Sequence, residues 1–340
     1  MRVAVVGATG AVGREMVRTL EERSFPADEL ALFATARSAG TRLRFRGEDV
    51  VVRAYEDRAL EGFGLALFAA GATAARAVVP KAAAAGTVCV DNSSAFRRDP
   101  SVPLVVPELN ADALEGHRNI VANPNCTTIT ALMAVGPLHR AAGLRQLVVS
   151  SYQSVSGAGM KGIRELAEQL EKLHGSEEDL VRPDRAALPT GEVFDKTIAF
   201  NVLALQGGVD ELDWSAEERK LLHEARKILS VPDLEVAATV VRVPVVTGHA
   251  TAIFGAFERA ITPTEARNVL SSFPGVRVVD HPSRSEYPTP LDAAGIDDVL
   301  VGRIRGVDGR EDALLLFAAG DNLRKGAALN AVQIAEVLFE

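Results

Sequence analysis

The 340-residue sequence predicts an α/β protein, with an N-terminal Rossmann-type domain joined to a second, α+β domain. Three observations predict it. The chain opens on Val3-Ala4-Val5-Val6 and runs directly into Gly7-Ala8-Thr9-Gly10-Ala11-Val12-Gly13, then a helical pattern through Met16, Val17 and Leu20. That is a glycine-rich strand-to-helix turn. Apolar runs then alternate with helical stretches to about residue 90, the signature of a doubly wound sheet. After Cys126, several strands separated by turn signals and two amphipathic helices replace that alternation.

In the first turn, glycines allow a tight bend and a close backbone approach to a pyrophosphate, and the helix N-terminus supplies N–H donors. Such strings also serve as plain turns, so the placement after a strand and before a helix carries the weight. Residues 30–33, 50–52, 65–68 and 88–90 read as strands, and the alanine-rich stretch 72–85 as a helix. The second strand lacks the terminal acidic residue that binds the ribose 2′-hydroxyl of NAD. It is followed by Ala34-Thr35-Ala36-Arg37-Ser38, whose Arg37 and Ser38 suit the 2′-phosphate of NADP, unless Arg37 is an ordinary solvated loop residue. Asn92-Ser93-Ser94-Ala95-Phe96-Arg97 reads as an anion-binding loop or a polar connection.

The chain has two cysteines. Cys89, within Thr87-Val88-Cys89-Val90, reads as core. Cys126 follows Asn123-Pro124-Asn125 and precedes Thr127, Thr128 and the apolar Ile129, Leu132 and Met133 at helical spacing. It therefore falls on a helix's first turn, with Asn125 as N-cap. Unsatisfied N–H groups and the macrodipole favour a thiolate there, making Cys126 the candidate nucleophile rather than a small buried hydrophobe.

Further along, 147–153 reads as a strand, 156–159 as a tight turn, and Ile163, Leu166, Leu170 and Leu173 as one helix face. Ser215 and Glu218 form a capping box opening a helix that buries Leu221, Leu222, Ala225, Ile228 and Leu229. Strands are predicted at about 236–246, 250–259, 298–306 and 312–319, mostly antiparallel, the last two joined through Asp308-Gly309. Residues 326–339 read as a closing helix. Arg242 lies in a run of valines and requires an anionic partner, either an internal carboxylate or a substrate. His249 follows at a strand end, where a loop could aim it into a cleft. Glu217 and Lys220 share a helix face and by themselves read as a surface ion pair.

A formal net charge of −8 without any Lys/Arg block speaks against nucleic-acid binding. No apolar run approaches the length of a bilayer span, and the expected location is the cytoplasm, where a thiol stays reduced. The histidines at 117, 139, 174, 223, 249 and 281 form no metal-ligand spacing, so no metal site is expected. The excess of arginine over lysine fits either genome composition or a hot habitat.

Together these segments resemble the aspartate-β-semialdehyde dehydrogenase family over nearly the whole chain. The likeness runs through the glycine turn, Arg37-Ser38-Ala39-Gly40, Asp91 to Arg97, Asn123-Pro124-Asn125-Cys126, Tyr152-Gln153 and Val155-Ser156-Gly157-Ala158-Gly159. It continues through Arg242-Val243-Pro244, Gly248-His249 and Asp321-Asn322-Leu323-Arg324-Lys325-Gly326. Reductases of N-acetylglutamyl or carrier-bound aminoadipyl phosphate usually carry Asn-Pro-Gly-Cys-Tyr at the nucleophile; Asn125 and Thr127 here favour the aspartyl enzyme.

The resemblance implies NADPH-dependent, reversible reductive dephosphorylation of L-aspartyl-4-phosphate to L-aspartate-4-semialdehyde through a cysteine thioester, in lysine, methionine, threonine and isoleucine biosynthesis. It implies Cys126 as nucleophile, Gln153 as its orienting partner and His249 as acid/base. Arg242 would clamp the α-carboxylate, Arg97 and Lys220 the phosphate, and Glu217 the amine, with Asn125 also at the substrate. Asn322 would contact the nicotinamide amide, the cofactor site being completed by Gly7, Thr9, Gly10, Ala11, Val12, Gly13, Thr35, Arg37, Ser38, Thr73, Ser156 and Gly157. Also implied are a homodimer, an NADP-binding domain over 1–125 completed by 321–340, and a catalytic and dimerisation domain over 126–320. Thr127 for the usual Ser, Val240 for a Cys and Leu203-Ala204-Leu205-Gln206 for an Ile-Pro-Gln run depart from the family pattern. A catalytically silent NADP sensor on this fold would be expected to lose Cys126 or His249, and both are present.

Overall fold

In the computed structural model, which describes residues 1–205 and 207–339, two sheets organise the chain. Gln206, the end of the Leu203–Gln206 departure, and Glu340 lie outside the described residues. The first sheet is built from β1 (Arg2–Val6), β2 (Glu29–Ala34), β3 (Arg42–Phe45), β4 (Glu48–Ala54), β5 (Leu65–Phe68), β6 (Val88–Asp91) and β7 (Ile120–Ala122). Its order is β3-β4-β2-β1-β5-β6-β7, parallel throughout except for the β3–β4 hairpin. The parallel strands bury both faces, which is why they read as continuous apolar runs. Around them lie α1 (Ala11–Glu22), α2 (Ala72–Ala84) and the short α3 (Pro107–Asn110).

The chain leaves β1 for β2 on one side and returns to β5 on the other, so the sheet's topological switch falls between β1 and β5. Registers pair Val6 with Phe68, Phe68 with Asp91, and Asp91 with Ala122. Four carboxyl ends thus lie side by side, and the segments following them share one crevice, where open α/β sheets bind ligands.

The second sheet consists of β8 (Leu144–Gln153), β9 (Glu235–Arg242), β10 (His249–Phe257), β11 (Val276–Val278), β12 (Val299–Val307) and β13 (Arg310–Gly320), in the order β11-β12-β13-β10-β8-β9. The β8–β9 and β11–β12 pairs are parallel and the rest antiparallel, making the sheet more mixed than the turn signals imply. The hairpin at Asp308-Gly309 is present, with Val307 opposite Arg310. β9 stops at Arg242, short of 246, because Pro244 has no N–H for the ladder. Gln153 is registered against Arg242, and His249 against Gly320, so one end of this sheet presents Gln153, Arg242 and His249 together.

The chain passes from the first sheet to the second through α4 (Cys126–Ala142), whose residues 127–138 are all buried. This helix packs on β8, β10 and β13 through a core containing Ile129, Leu132, Leu147, Ile253 and Leu316. Next come α5 (Gly159–Leu173), α6 (Ala216–Leu229), α7 (Pro263–Ser271) and α8 (Pro290–Ala293). Both bonds of the Ser215/Glu218 capping box are formed at α6. The closing segment begins with a π-helical turn over Arg324–Ala328 before α9 (Leu329–Phe339) returns to the first sheet, packing Val332 and Ile334 with Val3, Val5 and Leu32.

Strands β3, β7 and β11 escape the sequence reading. The last two have three residues each, too few for periodicity. β3 alternates Arg42-Leu43-Arg44-Phe45 ahead of a turn at Arg46-Gly47, both with positive φ, which is the hairpin geometry. Among the described residues no helix is long and apolar enough to cross a membrane.

Candidate active site

The ends of the two sheets meet in a cleft of about 350 Å³, lined by Cys126, Asn125, Gln153, Arg242, His249, Arg97, Glu217 and Lys220 on one side. Cys126 is the first residue of α4. Asn125 caps the helix, its Oδ1 accepting the N–H groups of Thr127 at 2.9 Å and Thr128 at 3.4 Å. Gly326 packs directly on the cysteine: a Cβ there would lie 2.9 Å from Cys126 Cβ. Gln153 Nε2 donates to Thr127 Oγ1 at 2.6 Å, one residue from the thiol.

The helix start does not by itself make a thiolate. Burial pushes the Cys126 thiol up, with Glu217 adding to the rise, and this outweighs the downward pull of Arg242, Arg97 and the Thr127 N–H. The expectation from the macrodipole is therefore corrected for the free protein, where desolvation is the larger effect. Cys89, fully buried in β6, is pushed up to about 12 by burial and by Asp91.

His249 is buried, and its Nδ1 accepts the Ser154 N–H at 3.1 Å. Burial, then the neighbouring Arg242 charge, holds its pKa well below the usual histidine value. The ring is neutral at pH 7, and with Nδ1 accepting, its proton sits on Nε2. Nε2 has no hydrogen-bond partner among the described residues and belongs to a residue lining the cleft. Asn322 Oδ1 braces this arrangement by accepting from Ser154 Oγ and from the Gly248 N–H at 2.9 Å.

Arg242, at the end of β9, donates from Nη1 to the Ser154 carbonyl at 2.6 Å. A Cβ on Gly157 would come within 2.8 Å of that same nitrogen and 3.3 Å of His249 Nε2, so the absent side chain leaves the guanidinium and imidazole facing one space. Arg97 is anchored through Nε to the Asn123 carbonyl at 2.8 Å, through Nη2 to the Asn92 carbonyl at 2.7 Å, and through Nη1 to Glu224. Lys220 and Glu217 form an ion pair at the cleft wall, and Glu217 also accepts from Asn125 Nδ2 at 3.0 Å. This is more than the solvated pair their spacing implies: the Glu217 carboxyl is held down, despite its burial, by Lys220, Arg97 and Asn125.

Two family models match the chain. Residues 2–117 match "Semialdehyde dehydrogenase, NAD binding domain" and residues 135–325 match "Semialdehyde dehydrogenase, dimerisation domain". An aspartate-semialdehyde dehydrogenase of Aquifex aeolicus is 45% identical, the match covering 100% of this chain and 98% of that one. One from Mycolicibacterium smegmatis is 48% identical, covering 99% of both. The chain belongs to the aspartate-semialdehyde dehydrogenase family. A solved structure of aspartate semialdehyde dehydrogenase II from Vibrio cholerae, complexed with ASA, superposes with a TM-score of 0.93 at 41% identity, over 99% of this chain and 97% of that one.

As an aspartate-semialdehyde dehydrogenase family member, the chain is an oxidoreductase with a nicotinamide dinucleotide domain, and the residues present fit that cofactor. Gly7 has φ +85°, and a Cβ there would lie 2.6 Å from the Ala69 carbonyl oxygen; one on Gly13 would lie 2.2 Å from the Gly7 oxygen. Neither position admits a side chain. Gly10 and Gly71 start α1 and α2 without any side-chain cap, leaving first-turn N–H groups for phosphates. Val12, Gly71, Ser156, Gly157 and Asn322 line the same cleft as Cys126. Gly7, Thr9, Gly10, Ala11 and Gly13 complete the turn around Val12. Thr35 and Arg37 are exposed and Ser38 half-buried after β2, beside β1, while Thr73 is exposed on the first turn of α2. None of these four lines the cleft.

Sequence reasoning missed Glu224 and Ser154. The signal for Glu224 was its spacing: Glu217, Lys220 and Glu224 fall at i, i+3 and i+7 on one stripe of α6. Nothing in the sequence marks Ser154, whose backbone sets the His249 tautomer. Among the described residues no group of His, Cys, Asp and Glu could hold a metal ion.

Proposed function

We propose that this protein reversibly converts L-aspartyl-4-phosphate and NADPH into L-aspartate-4-semialdehyde, inorganic phosphate and NADP, supplying lysine, methionine, threonine and isoleucine biosynthesis. The carrying observation is the convergence in one cleft of Cys126 at a helix start, a neutral His249 with an open Nε2–H, and three cationic side chains. The Vibrio cholerae relative's complex with ASA supports the substrate.

In this reading Arg97 and Lys220 receive the substrate phosphate, Arg242 the α-carboxylate through its planar fork, and Glu217 the amine. Those contacts fix the acyl carbon beside Cys126. The Cys126 sulfur attacks; the C–S bond forms as the bond from carbon to the phosphate oxygen breaks, and phosphate leaves with that electron pair and takes up the thiol proton, departing as hydrogen phosphate. NADPH, when bound, supplies the hydride. His249 Nε2–H donates to the carbonyl oxygen as it becomes negative, and a neutral imidazole suits that task. Collapse of the oxyanion restores the carbonyl, breaks the C–S bond and returns the thiolate to the positive end of α4. Gln153 acts through Thr127, holding the first turn of α4 at the second sheet.

Arg37 and Ser38, at the end of the strand neighbouring β1, support NADP over NAD. The same reading places an NADP-binding domain over 1–125, completed by 321–340, and a catalytic domain over 126–320 through which the chain forms a homodimer in the cytoplasm. The test is a panel in the phosphorolytic direction: L-aspartate, N-acetylglutamate and aminoadipate semialdehydes with phosphate and either NADP or NAD. Aspartate semialdehyde with NADP should give the highest kcat/KM. A preference for either other aldehyde overturns the assignment.

A further inference from the structure

Glu224 is buried on α6, and the chemistry above does not use it. A carboxylate out of water is retained only where it is paired and hydrogen-bonded. Here both oxygens are committed: Oε1 to Arg97 Nη1 at 3.2 Å, and Oε2 to the Asn125 N–H at 2.6 Å. The two partners reach the cleft by different routes. Arg97 lies in the loop after β6, and Asn125 is the N-cap of the helix that begins with Cys126. With Nε on the Asn123 carbonyl and Nη2 on the Asn92 carbonyl, Arg97 spends three of its five N–H groups on anchors and keeps two for a ligand. Glu224 is the only charged anchor among the three. One turn along, Lys227 Nζ donates to the carbonyls of Arg97, Asp99 and Val102, tying the same loop to α6.

We propose that Glu224 is a positioning residue that links the phosphate subsite to the nucleophile: one carboxylate aims the Arg97 fork and fixes the backbone that sets Cys126. This inference rests on the reading of Arg97 as a phosphate ligand.

The experiment compares Glu224→Gln, Glu224→Asp and Arg97→Ala in the full-length protein. Each is assayed for the KM of phosphate, aspartate semialdehyde and NADP, and for the phosphate concentration that half-protects Cys126 from iodoacetamide. Glu224→Gln keeps the volume but removes the charge and one acceptor, so its amide N–H must face a donor, either Arg97 or the Asn125 N–H. It should raise both phosphate constants about tenfold or more while changing the other KM values by less than about twofold, as expected of a displaced ligand side chain. Glu224→Asp keeps the charge and should fall between parent and Gln; it carries the test alone if the Gln variant does not fold. Parent-like phosphate constants in folded Glu224 variants, or an equal rise in all three KM values, would overturn the inference if Arg97→Ala still weakens phosphate. Unchanged phosphate constants in Arg97→Ala would overturn the reading of Arg97 and the inference with it.

Discussion

Gly157→Ala adds one methyl group at the point where Arg242 and His249 approach each other, and its effect follows from three distances. The new Cβ would lie 2.8 Å from Arg242 Nη1 and 3.3 Å from both Cε1 and Nε2 of His249, whereas ordinary contact begins at 3.4 Å. The guanidinium must therefore retreat by roughly 0.6 Å, while the imidazole gives way only slightly. Nη1 is the atom bonded to the Ser154 carbonyl at 2.6 Å, so the retreat breaks or stretches a charge-assisted bond and turns the fork away from its ligand. A hydrogen bond to a charged group contributes about 1.5–3 kcal/mol, so kcat/KM for aspartate semialdehyde should fall about 10- to 100-fold. The assay is steady-state phosphorolytic oxidation with phosphate and NADP saturating, the NADP KM being measured separately because Gly157 also borders the proposed cofactor site. Gly116→Ala is the control, since a Cβ there meets nothing within 4 Å. Parent-like kcat/KM in a Gly157→Ala protein of unchanged Tm would refute the proposed geometry of Arg242.

Burial raises the Cys126 thiol, so its alkylation by iodoacetamide in the free protein should increase with pH along a limb lying above 9.0, the ordinary thiol value; Arg242→Gln should move the limb higher still, and a limb near neutrality would contradict the account. Arg37→Ala should raise KM for NADP far more than for NAD, because only NADP loses a charge-assisted contact, and equal effects on both would remove the 2′-phosphate role. Arg242→Lys keeps the charge but loses the planar fork, so kcat/KM for aspartate semialdehyde should drop with NADP binding unchanged; a parent-like profile would make the arginine structural.

The parallel strands were legible because burial on both faces writes them as short apolar runs, and the turn at Gly7–Gly13 because two of its positions exclude any side chain. Strands of three residues and the charged strand β3 leave no such pattern. At the site, Cys126 was visible through local grammar, a cap followed by a helix. What surrounds it was not: Glu224 lies 98 positions away and reaches Asn125 only through the packing of α6 near α4. The thiol's upward shift was equally hidden, since helix-start reasoning contains the macrodipole but not desolvation, and desolvation is the larger cause here. Arg242 shows the opposite case. A guanidinium among valines signalled a requirement for an anionic partner; the structure shows Arg242 on the neutral Ser154 carbonyl and lining the cleft, where a substrate carboxylate is the proposed anion.

In the proposed reaction Cys126 carries the acyl group. This is tested most directly by incubating the protein with L-aspartyl-4-phosphate in the absence of NADPH and determining by mass spectrometry what becomes attached, and where. One aspartyl group per chain is expected on the peptide containing Cys126, released by hydroxylamine as a thioester should be, with one phosphate liberated per group. Cys126→Ala should acquire none, while Cys89→Ala, lacking only a core thiol pushed up to about 12, should label like the parent. An aspartyl group on any other residue, or full turnover by folded Cys126→Ala, would contradict it.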